Sequence, residues 1–157
     1  NGSVSDLSAL TEELSATMQD ISDNASRINE NTESVAGEVK SIAEKTIEIN
    51  QELIAVCGLY CGACRQYLKG GCMGCLKNEK ATWCKTRTCC MEKGYKTCAE
   101  CSTDVADCKK FTNVVSKLFG FFFNSDRNAC IDRIKAMGRE EYAKEMAEKG
   151  MQTIKRR

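Results

Sequence analysis

Aliphatic residues recur at every seventh position through the first third of the chain: Leu7, Leu14, Ile21, Ile28, Val35, Ile42, Ile49 and Val56. A second series three residues ahead of it runs Val4, Thr11, Met18, Ala25, Thr32, Val39, Thr46 and Leu53, every member small, β-branched or apolar. Together they make the alternating three–four spacing of a coiled-coil seam, with a positions counted from Val4 and d positions from Leu7. No proline interrupts the pattern, and Gly37 costs about 1 kcal/mol relative to alanine, which a long helix absorbs. The spacing predicts one helix over residues 1–56, about 75 Å long at about 1.5 Å per residue. Its seam must be buried against other helices, from the same chain or another copy. The threonines and alanine on the seam suit a slim multi-helix bundle better than a leucine zipper. The pattern is already running at Val4, so the sequence reads as part of a longer chain.

The pattern changes at residue 57. All twelve cysteines lie between Cys57 and Cys130, eleven of them within 57–108, and the chain has no histidine. Charge divides at the same place. Residues 1–56 hold three basic and eleven acidic residues, a net of −8, whereas residues 57–157 hold twenty basic and eleven acidic, a net of +9. A basic half can signal nucleic acid, but these basic residues are scattered and belong to no recognition motif, so no nucleic-acid partner is expected. Thiolates on metal supply a nearer counter-charge. Aromatic residues are only 6% of the chain, so a small core over 57–157 needs support beyond packing. No segment reaches the roughly 18 uninterrupted apolar residues of a membrane-spanning helix, and no membrane contact is expected of this stretch.

Three cysteine pairs, Cys61/Cys64, Cys72/Cys75 and Cys98/Cys101, have the two-residue gap that lets one tight turn send two thiolates to one tetrahedral ion. Gly62 and Gly74 lie within two of the knuckles, and Gly70-Gly71 lead into the second. A secreted disulfide-stapled fold would also use many cysteines, but no secretory signal opens the sequence, and what the coil resembles implies a reducing, cytoplasmic setting. Four thiolates without imidazole suit zinc, with an iron–sulfur cluster as the alternative. A closed four-thiolate site leaves no open coordination position, so an enzyme is not expected.

The tail is helical in period from Val114. Ser125 or Asp126 caps a helix running to about Met137, with Gly138 as its terminator, and Arg139 to Lys149 forms a last helix ended by Gly150. The apolar burst Leu118–Phe123 is expected to be the hydrophobic packing of the small domain. The fold class is therefore all-α: one long coiled-coil helix (1–56), then a small, irregular, cysteine-rich, metal-stabilised domain with C-terminal helices (57–157).

Two resemblances sharpen this reading. Ser8–Thr17, with small residues flanking Glu12-Glu13, resembles the methylation consensus of methyl-accepting chemotaxis proteins. The stretch Leu7–Met18, followed by Ile28-Asn29-Glu30-Asn31-Thr32, is similar to the C-terminal arm of that family's cytoplasmic hairpin, over residues 4 to about 50. The resemblance implies Glu13 as methyl acceptor, methylation enzymes as partners, and homo-oligomerisation through the coil. The kinase- and coupling-protein contact belongs to the hairpin tip, which this sequence lacks. The second resemblance covers roughly residues 54–150. Cys57-Gly58-Leu59-Tyr60-Cys61-Gly62-Ala63-Cys64, Cys72-Met73-Gly74-Cys75 and Cys98-Ala99-Glu100-Cys101 look like an uncharacterised cysteine-rich family of bacteria and archaea, as does Arg133–Gly138 followed by Glu140-Glu141-Tyr142. It implies a metal set of ten: Cys57, Cys61, Cys64, Cys72, Cys75, Cys84, Cys89, Cys98, Cys101 and Cys108. Cys90 and Cys130 fall outside it as ordinary thiols. The simplest pairing of these ten places Cys61, Cys64, Cys72 and Cys75 on one ion and Cys84, Cys89, Cys98 and Cys101 on another, with Cys57 and Cys108 as spare, bridging or redox-active thiols; interleaved sites, or a cluster with bridging sulfurs, would use the same residues. The function these features imply is signal transduction by a chemotaxis-type transducer carrying a zinc-binding, metal- or redox-sensing module. A structural docking module or an iron–sulfur redox protein is the alternative.

Overall fold

A computed structural model describes residues 2–113, 118 and 120–156. Among these residues the regular structure is helical, with two isolated bridges in place of a sheet. Helix α1 spans Gly2–Glu52. It is followed by a 3₁₀ turn at Cys61–Ala63, α2 (Arg65–Leu68), α3 (Lys85–Glu92), a second 3₁₀ turn at Cys98–Glu100, and α4 (Arg127–Glu148). The chain divides into two compact units, Asn1–Glu44 and Lys45–Arg157. No helix among the described residues is long and apolar enough to cross a membrane.

The first unit is helical from Gly2 onward, and its seam is uncovered. Val4, Leu7, Leu14, Met18, Ile21, Ile28, Val35, Val39 and Ile42 are all between 58% and 73% exposed. The seam threonines satisfy their hydroxyls within the helix. Thr11 Oγ1 donates to the Leu7 carbonyl at 2.7 Å and Thr32 Oγ1 to the Ile28 carbonyl at 2.7 Å. Back-bonding of this kind lets a threonine occupy an a position without a polar partner from another helix.

In the second unit the heptad pattern reads on through Leu53 and Val56, but α1 stops at Glu52. The chain then reverses. Ile54 bridges to Tyr60, the Ala55 amide donates to the Leu59 carbonyl at 2.7 Å, and the Cys61 amide donates to the Leu53 carbonyl at 2.7 Å. Gly58 makes the reversal possible. Its φ is +88°, and a Cβ placed there would lie 2.9 Å from the Cys130 Cβ. Val56 therefore enters the core, 1% exposed, instead of extending the seam.

The core gathers Ile54, Val56 and Tyr60 from this reversal, Phe111, and Cys130, Ile131, Ile134, Tyr142 and Met146 from α4. The expectation that Leu118–Phe123 supplies this packing is not met. Leu118, Phe121, Phe122 and Phe123 are 55–74% exposed, and Phe119 lies outside the described residues. Consecutive large residues point in successive directions around a helical backbone, so such a run has no single face to bury. α4 by contrast carries Ile131 and Ile134 at helical spacing and buries both. The expected helical period from Val114 to Lys117 also falls outside the described residues.

α4 follows its sequence signals closely. The Asp126 carboxylate caps it by accepting from the Ala129 amide at 3.0 Å. Gly138, with φ +83° and ψ 167°, breaks it into two helical segments, and Gly150 at φ +59° follows its end. Arg133 and Glu145, on opposite sides of the break, form a two-pronged pair at 2.9 and 3.1 Å, and Lys149 adds to the same carboxylate. These cations hold the Glu145 carboxyl down at about 2. A depressed carboxylate stabilises the fold above its unfolded value, and that contribution is lost as pH falls through the folded value. The stability gap between the native chain and Glu145→Gln, read from thermal unfolding of the full chain, is therefore expected to be full at pH 6 and to close between about pH 4.5 and pH 2. A gap constant across that window would show the pair contributes nothing.

Candidate metal centre

Most cysteines of the expected set sit at a chain reversal or a helix end. Cys57 follows the buried Val56 and precedes the Gly58 turn. Cys61 opens the first 3₁₀ turn, and the Cys64 amide closes the knuckle onto the Cys61 carbonyl at 2.9 Å. Cys64 also precedes α2, and the Leu68 amide bonds to its carbonyl at 2.9 Å. Cys72 Sγ accepts from Asn78 Nδ2 at 3.8 Å. Cys84 caps α3, and Cys89 and Cys90 lie in its later turns. The Cys98 knuckle is built by Thr97 and Glu100: Thr97 Oγ1 accepts from the Ala99 amide at 3.3 Å, and Glu100 accepts from the Lys96 and Thr97 amides at 3.1 and 3.3 Å. The Cys101 amide then bonds to the Cys98 carbonyl at 3.2 Å. The Cys108 carbonyl accepts from the Phe111 and Thr112 amides at 2.9 and 2.8 Å.

All twelve thiols are free, and eleven of them fall into two adjoining groups. The first surrounds the Val56–Cys57 segment. Burial pushes the Cys57, Cys61 and Cys75 thiols up, Cys75 to about 12, and the neighbouring sulfurs add to the shift. Cys84 acts on Cys57 and Cys75, while Cys57, Cys64 and Cys72 act on Cys61. Opposing them, the Val56 backbone bonds to Cys75, the Cys75 backbone bonds to Cys61, and the Arg127 guanidinium lies near Cys57. Arg127 is itself held by the Phe111 carbonyl at 2.8 Å and lies 4.6 Å from the Phe111 ring centre.

The second group lines a small cleft of about 30 Å³, a volume suited to a single small species: Cys89, Cys90, Cys98, Cys101 and Cys108, with Thr86, Lys93, Tyr95, Thr103, Val105 and Lys110. Within it Cys90 Sγ and Cys98 Sγ are 3.5 Å apart. The contact lowers Cys90 and, with burial, raises Cys98 strongly. Lys110 lies beside Cys89, and the nearby sulfur raises the lysine. Cys57 also acts on Cys98, so the groups are neighbours.

The structure thus sets Cys57, Cys64 and Cys72 near Cys61, with the Cys75 backbone bonded to it and Cys84 near Cys57 and Cys75. It brings Cys89, Cys98 and Cys101 to one cleft and adds Cys90 and Cys108. Cys130 lies apart from both, fully buried, its Sγ accepting from the Ile154 amide at 3.3 Å. Among the described residues no three His, Cys, Asp or Glu side chains already stand as a coordination shell. The donor set nevertheless fits a soft tetrahedral ion. Two thiolates about 2.3 Å from one zinc lie about 3.8 Å apart, close to the separation of Cys90 and Cys98. Cys90, Arg127 and Lys110 carry no knuckle spacing, so no sequence signal marks them as neighbours of these sulfurs. Glu13 is exposed on α1, and its carbonyl accepts from Thr17 Oγ1 at 2.8 Å.

Comparison of the chain with protein-family models, with curated proteins and with solved structures found no match. In reduced, metal-free protein, Cys75 should alkylate about a thousandfold more slowly at pH 8 than an ordinary exposed thiol, because only the thiolate reacts. Peptide mass spectrometry after timed iodoacetamide labelling reads this directly. Labelling of Cys75 at the rate of an exposed thiol would contradict the environment described.

Proposed function

We propose that this chain is a signalling module: a chemoreceptor-type coiled-coil arm joined to a zinc-binding thiolate domain that senses metal or redox state in a reducing, cytoplasmic compartment. The observation that carries it is the joint between the two. Tyr60, next to Cys61, donates from its hydroxyl to Asn50 Oδ1 at 3.1 Å, and Arg139 donates to the Gln51 carbonyl at 2.9 Å. The last turns of α1 are thus bonded to the segments that carry the first thiols and the C-terminal helix. A displacement of Cys61 passes to the end of α1 through hydrogen bonds rather than through a slack linker.

The residues that would hold the metal are Cys57, Cys61, Cys64, Cys72, Cys75, Cys84, Cys89, Cys98, Cys101 and Cys108. Zinc, when bound, supplies a closed tetrahedral crosslink and no open position for catalysis. The thiols supply the negative charge that the twenty basic residues of 57–157 balance. On the arm, the exposed seam is the surface for a second copy, because a heptad-spaced apolar face is complementary to itself. Glu13 lies at a c position, clear of that seam. Methyl esterification there removes charge from an arm of net −8 and eases packing between copies.

Two measurements test this reading. The reduced full chain is expected to bind about two zinc ions by elemental analysis, and chelation should abolish cooperative unfolding of the cysteine-rich unit. A colourless, metal-free protein with unchanged unfolding would overturn the metal reading, and a brown protein containing iron and sulfide would replace zinc with a cluster. Ile21→Asp combined with Ile28→Asp should weaken self-association at least tenfold in sedimentation equilibrium, since each isoleucine brings about 1.5–3 kcal/mol when buried. Association unaltered by the double change would exclude the seam as the interface.

A further inference from the structure

We propose that Cys90 is a metal ligand, and that the second thiolate site is made by Cys90, Cys98, Cys101 and Cys108, with Cys84 belonging to the first. The inference rests on the metal-binding reading above and specifies the site. Cys98 is its centre. Its sulfur lies 3.5 Å from that of Cys90, a spacing close to the one that two thiolates keep on a shared tetrahedral ion. Cys101 is tied to Cys98 by the knuckle bond between its amide and the Cys98 carbonyl. Cys108 lines the same cleft, and its charge acts on Cys98.

Two thiols nearby are better placed elsewhere. Cys89 borders the inner cleft too, but it also faces an outer one with Thr82, Lys85, Thr88 and Glu92, and Lys110 lies beside it. Cys84 does not line the inner cleft, and its charge acts on Cys57 and Cys75. α3 produces this division. It carries Cys84 at its cap, and Cys90 is buried while Cys89 stays half-exposed one residue earlier. The Tyr95 amide bonds to the Cys90 carbonyl at 2.9 Å and closes the chain between Cys90 and Cys98. Among the described residues no three ligands yet stand as a shell, so the remaining sulfurs would have to close onto the ion as it binds, coupling binding to final folding.

The test uses the full native chain loaded with cadmium-113 under reducing conditions. Proton–cadmium correlation spectra should connect the β protons of Cys90, Cys98, Cys101 and Cys108 to one cadmium resonance, and those of Cys84 to a different one. Couplings from Cys98 and Cys101 without one from Cys90 would overturn this assignment while leaving the metal reading standing. No cadmium uptake would sink both. As a second readout, Cys90→Ser should lower bound metal from about two ions to about one per chain. Retention of about two ions by Cys90→Ser would also overturn the assignment.

Discussion

The cysteine-rich unit is organised around the reversal at Gly58. The carbonyl of Gly58 accepts the Tyr142 hydroxyl at 2.6 Å, in a site where Tyr142 is fully buried. Burial and the nearby Cys130 sulfur push that phenol up, so it stays a donor. The Gly58 Cα packs so close to Cys130 and Ile131 that no side chain fits. One turn thus brings the end of α1, the first thiol and both segments of α4 to a common point. The neighbouring carbonyls are used as fully: Val56 accepts the Cys98 amide at 2.8 Å, and the Tyr60 amide reaches the Gln152 carbonyl at 2.8 Å. Loss of this turn would release the first thiol group and the Cys98 knuckle together.

Around that turn the unit concentrates sulfur beyond what a small core can use as packing alone. Buried thiols tolerate crowding while protonated and resist it once ionised, which is why Cys75 and Cys98 are pushed up. The cations close to the sulfurs are few. Arg127 stands near Cys57, Lys110 lies beside Cys89, and Lys93 acts on Cys90. The raised thiols stay protonated beside so few cations. On the reading proposed above, a divalent ion would let four of them ionise, and each such site at −2 would offset part of the +9 carried by residues 57–157.

Much of this fold is legible in the sequence wherever a local signal decides the outcome. The heptads announce α1, Asp126 announces the start of α4, and Gly138 and Gly150 mark its break and its end. Each depends on capping or on a positive φ, which are chemistry of one or two residues. Tertiary placement is less legible. Val56 continues the heptad arithmetic, yet the reversal two residues later takes it into the core. The phenylalanine run has the composition of a core and the exposure of a surface, because burial requires a face and not only apolarity. Knuckle spacing reveals which thiols are neighbours along the chain. It does not reveal that the end of α3 brings Cys90 to Cys98 across eight positions.

The cysteine positions also bear on how a thiolate domain could act on a helix. Cys57 and Cys61 bracket the Gly58 turn, and the Cys61 amide is bonded to Leu53, one residue after α1 ends. The Tyr60 ring lies against Gly62 inside the first knuckle, where a Cβ would meet the phenol at 2.6–2.7 Å, and its hydroxyl is on Asn50. The knuckle and the final turn of α1 therefore share one aromatic side chain. Rearranging the knuckle must move that ring, and moving the ring breaks or shifts its bond to the helix. A glycine at position 62 keeps the ring this close, so the packing couples the two elements through contact rather than through a long chain of weak interactions. The Tyr60–Asn50 bond is the narrowest point of that route, with the Arg139–Gln51 bond as a second strut from α4 to the same helical turn.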